Sequence, residues 1–469
     1  VAEILLAIES ARSRAPQLIN SRLLNFMTER QPPDAKSQAP LFSTPGIRAL
    51  GTAGSAPSRG SRLFNDVAYY VQGSEVYSVS ASGTAVRVGT GITGAGPVSM
   101  SDNGQQMCIV NGIGGWIYTS GSGLQPITSS AFYPCNTVTF MDGYFIFDRK
   151  GTNEWFLSAL YDGLTYDALD FASAEAMPGE VVATAQNLQL LYVFTTSHIE
   201  LWYDAGTPNF PFQRYAGGVI PYGCSSPHTI LLADSALFFL ANDRIFYRLQ
   251  ANVPIRVSTH PIETILAGET DLSAIVCTHL TIQGHKLIFM YLPTAQATFC
   301  YDIATGKWHE RDSFDAGFAS LGGWRGAYPL AAYNTLLVGD TQGGDIGVVD
   351  WTTYTEYGNQ IIGQIQTVNQ HHDRKRIFCS RFELDVQAGV GLPNGQGSDP
   401  QIMLQRSKDG GMTWSMQQPW RSMGKIGEYQ RRLRWMSQGQ GFQMSWMLNV
   451  SDPVPRTIIA AHADISGLP

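Results

Sequence analysis

The amino-acid sequence predicts an all-β protein: a β-propeller of about six or seven blades over residues 51–360, a smaller β-sandwich-like domain over 361–469, and an N-terminal arm over 1–50. Three observations carry this reading. The composition suits short strands joined by tight turns, a hairpin theme recurs between residues 63 and 358, and the composition shifts after Tyr357.

With 469 residues and 44% hydrophobic content, the chain can bury a large core and divide into more than one domain. Charged residues make up 15%, against roughly 25% in an average soluble domain. Glycine reaches 48 residues and aromatics 11%. Such a surface, polar but sparsely charged, suits a subunit that covers its faces with copies of itself.

The repeated theme is an apolar, β-branched or aromatic run, a tight turn, then a second such run. Ala68 to Val71, the turn Gln72-Gly73-Ser74 and Val76 to Val79 form its first instance. Later turns fall at Asn103-Gly104, Asp142-Gly143, Gln186-Asn187, Asp234-Ser235, Gln283-Gly284 and Tyr333-Asn334. Their spacing widens from about 31 to about 50 residues, bracketing the roughly 40 to 50 of a four-stranded blade. The second strand of the theme is often aromatic, as in Trp116 to Tyr118, Trp155 to Leu157, Leu201 to Tyr203 and Ile245 to Tyr247. Such residues pack well on a pleated, half-buried surface. A β-sandwich followed by loosely related hairpins is the alternative architecture.

One short helix is expected over Pro261 to Ala267, with proline at its first position. Beyond Tyr357, the charged stretch His371 to Arg376 and the glycine-rich stretch Gly389 to Ser398 separate strand-like runs at Phe378 to Val386, Gln401 to Gln405, Phe442 to Val450 and Thr457 to Ala461. Residues 1–50 lack the repeat, and Ala2 to Ile8 reads as apolar and helix-like. Acidic residues interrupt that stretch and no basic segment precedes it, so no signal peptide is expected. No stretch approaches the length of a membrane span.

A net charge of −7 argues against gripping nucleic acid through neutralised phosphates. The six cysteines are scattered with no CxxC pair, which points to free thiols in a chain made in a reducing cytoplasm. There is no HExxH, GxSxG, Walker loop or helix-opening GxGxxG, so no catalytic residue and no cofactor is assigned. His371-His372-Asp373 lies beside Arg374, Lys375 and Arg376, whose charge opposes a cation, and no metal is expected there.

Ser407-Lys-Asp409-Gly-Gly411-Met-Thr413-Trp414 fits the Asp-box pattern S-x-D-x-G-x-T-W. The Ser and Asp side chains bond backbone groups of a turn, glycine supplies a positive φ and Trp packs beneath. This predicts a structural element rather than a catalytic one. Tyr301 to Trp308 has the spacing of a kelch blade, but its companions do not recur, and the segment reads as a hairpin. Arg421, Lys425, Arg431, Arg432 and Arg434, interleaved with Trp420, Tyr429 and Trp435, form the basic cluster of the chain. Arg431, Arg432, Arg434 and Trp435 are the candidate subunit interface, with a nucleic-acid track as the alternative.

Several segments, taken in order, resemble one family. They are Asn20 to Glu29 and Thr44-Pro-Gly-Ile47, then Asp170 to Glu175, Ile199 to Tyr203, Phe210 to Arg214, Gly223 to Pro227 and Arg256 to Thr259. Phe382 to Val386, Arg406 to Trp414, Arg431 to Trp435 and Ser451 to Val454 continue the series. Together they resemble the packaged-DNA stabilisation proteins of short-tailed bacteriophages, over residues 10–465. The resemblance implies a non-enzymatic virion protein, the hub or nozzle of the tail, assembled in the bacterial host cytoplasm. It further implies a homohexameric ring beneath the adaptor ring under the portal, bearing a needle, plug, fibre or tailspike, that retains packaged DNA and lets it pass during ejection. The acidic net charge, rather than the resemblance, predicts that DNA passes without specific binding. The alternative is a glycan-binding or sialidase-like propeller, which would carry several Asp-boxes where this chain has one.

Overall fold

The computed structural model describes residues 2–467 apart from 208, 209, 318 and 373. Seven four-stranded antiparallel blades surround one axis. Blade one comprises Ser58–Phe64, Val67–Gln72, Glu75–Val79 and Ala85–Thr90. Blade two runs from Ser99–Asp102 out to Gly123–Pro126, blade three from Val138–Met141 to Phe171–Ser173, and blade four from Val181–Asn187 to Phe212–Ile220. Blade five runs from Leu231–Ala233 to Val253–Arg256, and blade six from Val276–Ile282 to Lys307–Glu310. Blade seven takes Gly326–Ala332, Thr335–Asp340 and Asp345–Asp350 from late in the sequence. Its outer strand, Gly46–Thr52, comes from before blade one. That exchange closes the ring, and the first strand of blade seven packs on the first strand of blade one.

Local chemistry accounts for the blades. Their first two strands meet in tight turns whose central residues lie at positive φ: Asn65-Asp66, Asp142-Gly143, Asp234-Ser235, Gln283-Gly284 and Tyr333-Asn334. Paired left-handed residues match the twist of a two-residue hairpin, and Asn, Asp and Gly tolerate that conformation best. The Gln72-Gly73 turn instead joins the second and third strands of blade one. Asn65-Asp66 is the position equivalent to the other turns, and counting from it evens out the repeat. The aromatic runs are third strands, not second ones. Their rings fill the spaces between blades: Tyr69 meets Tyr118 at 5.2 Å and Trp155 meets Trp202 at 5.1 Å. Each of seven buried clusters draws on two neighbouring blades, so the propeller core is a ring of interfaces rather than one centre.

An eighth cluster is the core of the C-terminal β-sandwich. One of its sheets orders Leu433–Gly441, Ile377–Val386, Thr457–Gly467, Leu41–Ser43 and Phe26–Thr28. The other orders Leu23–Leu24, Gly363–Gln366, Gln443–Val450, Gln401–Ser407 and Trp420–Ser422, and is continuous with blade six through Glu310 and Leu24. Phe382 stacks on Trp446 at 5.0 Å between the sheets. The expected helix is present as His260–Leu266.

The arm expected over residues 1–50 is not a separate element. Ala2–Ile4 is a strand, not a helix, paired with Ala461 to Ala463, and Leu41–Ser43 pairs with Thr457 and Ile458. The chain therefore begins in the sandwich and enters the propeller at Gly46–Thr52, ahead of the boundary expected at residue 51. It returns to the sandwich after Glu356. Apolar side chains at Leu23, Phe26 and Leu41 explain this, because each is fully buried in a sandwich core that residues 361–469 alone would leave open.

Candidate functional site

Where the two domains join, the chain buries a network of charges. Arg311, just after the outer strand of blade six, and Glu356, in the short strand alongside Ile47, are each about 2% exposed and pair at 2.8 Å. Arg311 also donates to the carbonyl of Pro45 (2.6 Å) and to the Thr44 hydroxyl. Glu356 accepts from Trp324 Nε1 (3.1 Å) and from the Ser313 hydroxyl. One ion pair thus fastens blade six, the entry to the closing strand and the exit to the sandwich. Beside it, Arg22 of the sandwich donates to Glu310 at 2.6 Å and approaches Asp312 at 3.7 Å. Burial pushes the Asp312 carboxyl up to about 7 and neighbouring Glu310 adds to the shift, against the Thr298 amide and the Arg22 and Arg12 cations.

The propeller axis holds a cavity of about 350 Å3 lined by first-strand residues including Arg62, Thr139, Gln186, Thr278 and Tyr328. At roughly 30 Å3 per water molecule it has room for about ten waters. A DNA duplex cannot pass through it. A second cavity of about 800 Å3 opens between blades six and seven, beside the hairpin Asp312–Asp315 and Ser320–Gly323 and against Phe289, Trp324 and Tyr328.

The Asp-box lies at the end of Gln401–Ser407. The Ser407 hydroxyl donates to Asp409 Oδ1 (2.7 Å) and accepts from the Gly411 amide (2.8 Å). Asp409 also accepts from the amides of Met412 (3.1 Å) and Thr413 (2.9 Å) and from the Thr413 hydroxyl. Gly410 and Gly411 are both at positive φ. Partial burial raises the Asp409 carboxyl, but hydrogen bonds from Thr413, Ser407 and Met412 outweigh it and hold the group below the ordinary range. Trp414 is half-buried and stands outside the sandwich core.

Of the candidate interface residues, Arg431, Arg432 and Arg434 are exposed. Arg431 pairs with Glu428 at 2.6 Å, and Arg434 and Arg432 share Glu383 at 3.2 and 3.8 Å. Trp435 is a correction: it is 1% exposed, packs in the sandwich core and donates Nε1 to the Pro419 carbonyl. Successive residues of a strand face opposite sides, so Leu433 and Trp435 point inward where Arg434 and Met436 point out. His371 and His372 sit on a short strand and its turn, and Asp373 lies outside the described residues. Among the described residues no cluster of His, Cys, Asp or Glu is arranged to hold a metal. All six cysteines are buried free thiols. No helix of the described residues is long and apolar enough to cross a membrane.

A seven-bladed propeller joined through a charged seam to a sandwich that uses both chain ends defines the structural class. Two family models match in sequence, one described as "Bacteriophage P22 Gp10, beta-propeller" over residues 4–354 and one as "Bacteriophage P22 Gp10, beta-sandwich" over residues 364–466. The chain belongs to this family and is a bacteriophage structural protein of the tail. No curated protein matches it. Among solved structures it is similar to the WD40 beta propeller domain of Doa1, at 11% identity and TM-score 0.41, covering 65% of this chain and 96% of that one. The N-terminal domain of Nup159 is similar at 10% identity and TM-score 0.42, over 70% and 98% of the two chains.

Proposed function

We propose that the chain is the hub or nozzle subunit of a short phage tail. Its copies form a ring, read as a hexamer, that closes the channel to retain packaged DNA and later serves as its conduit. The match of both family models along nearly the whole chain carries this reading. The size of the axial cavity supports one feature of it: a conduit for DNA has to lie between copies, because one propeller leaves no room. The adaptor ring under the portal and a distal needle, plug, fibre or tailspike are its proposed partners. The engagement of Asp409 by its own turn favours a non-enzymatic role over the glycan-processing alternative. Deleting the gene from the producing phage tests the proposal. Capsids should fill and then lose their DNA, recoverable by supplying the protein in trans. Particles that keep full genomes without it would refute the retention role.

A further inference from the structure

Charge is unevenly divided between the two modules. Residues 361–469 carry 12 Lys and Arg against 8 Asp and Glu, a net +4, leaving −11 for residues 1–360 out of −7 overall. Between Lys150 and Arg214 there are eight carboxylates and no Lys or Arg. Four of the eight, Glu154, Asp162, Asp167 and Asp170, lie in blade three. In the connection from Glu154–Leu157 to the outer strand Phe171–Ser173, Leu160, Tyr161, Leu169 and Phe171 are exposed, Leu169 at 79%. Asp162, Asp167 and Asp170 lie among them, and none of the three takes part in an ion pair among the described residues. This outer edge is apolar and acidic.

The opposite character appears on the sandwich. Trp420–Ser422 ends one sheet and Leu433–Gly441 ends the other, so residues 420–436 form the open edge of the sandwich. Trp420, Ile426, Tyr429 and Met436 are exposed there, Tyr429 at 70%. Arg421, Arg431, Arg432 and Arg434 surround them, with Glu383 and Glu428 as the carboxylates that pair with the last three. Exposed strand edges with apolar side chains are templates for another chain, and Arg with Trp and Tyr is the composition of interface centres. The two patches cannot meet within one chain. The sandwich joins the propeller at blades six and seven, and in a ring of seven, blade three lies diametrically opposite that junction.

We propose that the open edge of the sandwich, residues 420–436, docks on the outer edge of blade three, residues 160–171, of a second copy of this chain. Opposite charges fix the pairing and its orientation, and like charges disfavour sandwich-to-sandwich or blade-to-blade contact. The contact joins different faces of the two copies, the arrangement that generates a closed ring when its rotation closes. It deepens the ring proposal by naming the surfaces that meet, and rests on that proposal for the identity of the partner as another copy.

The test uses full-length chains carrying Leu169→Cys or Tyr429→Cys, since the native cysteines are all buried. Treated with a short bismaleimide, the mixture should give a covalent dimer that neither variant gives alone. In parallel, Arg431→Glu/Arg432→Glu/Arg434→Glu and Asp167→Lys/Asp170→Lys should each raise the concentration needed for self-association about ten-fold or more in sedimentation velocity. A chain carrying both sets should regain association. If the unaltered chain assembles but the mixture gives no crosslink, the docking inference falls and the ring reading stands. A chain that remains monomeric with and without the adaptor protein and gives no crosslink overturns both.

Discussion

Replacing Glu356 by glutamine removes the carboxylate that pairs with Arg311 while keeping its shape. Both side chains are about 2% exposed and 2.8 Å apart. At an effective dielectric of about 20, that separation corresponds to roughly 6 kcal/mol of attraction, an upper figure from which desolvation subtracts. An arginine cannot shed its proton to escape. It would remain charged beneath Trp324, hydrogen-bonded to the Pro45 carbonyl, the Thr44 hydroxyl and the neutral amide oxygen of the new glutamine, with the paired carboxylate gone. Breaking a buried pair from one side costs about 3–5 kcal/mol, whereas replacing both partners with apolar residues of similar volume is often neutral. Urea unfolding followed by tryptophan fluorescence should therefore place Glu356→Gln about 3–5 kcal/mol below the parent chain, and below Arg311→Met/Glu356→Met. Stability of Glu356→Gln within about 1 kcal/mol of the parent would refute the view that this pair holds the domains together.

Asp409→Ala should lower stability by about 1–2 kcal/mol through lost turn hydrogen bonds, without abolishing any hydrolytic activity. Since the folded-state pKa of Asp409 is depressed, its contribution is present above about pH 4 and lost as pH falls through the folded value, so the variant should approach the parent in acid. Asp312 has the opposite sign: burial pushes its folded-state pKa up to about 7, well above the ordinary carboxylate range, so its contribution is complete below about pH 4 and disappears as pH rises to about 7. Asp312→Asn should flatten that decline in chemical denaturation at pH 5 to 8, and an unchanged slope would count against the raised carboxyl. Six copies at −7 would carry −42, a charge that opposes DNA within about 8 Å, the Debye length at physiological salt. Duplex DNA should bind the isolated protein weakly and without sequence preference at about 150 mM salt. Tight binding with a steep salt slope would contradict a passive conduit.

What the sequence makes legible follows the range of the underlying physics. Turns such as Asp142-Gly143 and Asp234-Ser235 and the aromatic third strands are local signals, and they marked the blades. Counting from Gln72-Gly73 sets blade one one strand too far out, because that turn carries the glycine while Asn65-Asp66 reaches positive φ without one. The interleaving of Arg with aromatics points to Trp435 as an interface residue, whereas strand alternation from Leu433 places it inside. The N-terminal strands span only two or three residues, too few for a period, and Ala2–Ile4, Leu23–Leu24 and Leu41–Ser43 find partners hundreds of residues away. Nor could the Arg311–Glu356 pair be read locally, since its members share no pattern and come together only when the ring closes.

The most direct test of the central claim is the mass of the full-length protein in solution, by light scattering, with and without the adaptor protein. The account predicts a discrete closed oligomer, six copies of a 51.3 kDa chain or about 308 kDa, formed alone or on addition of the adaptor. A chain that stays at 51.3 kDa under both conditions would contradict it.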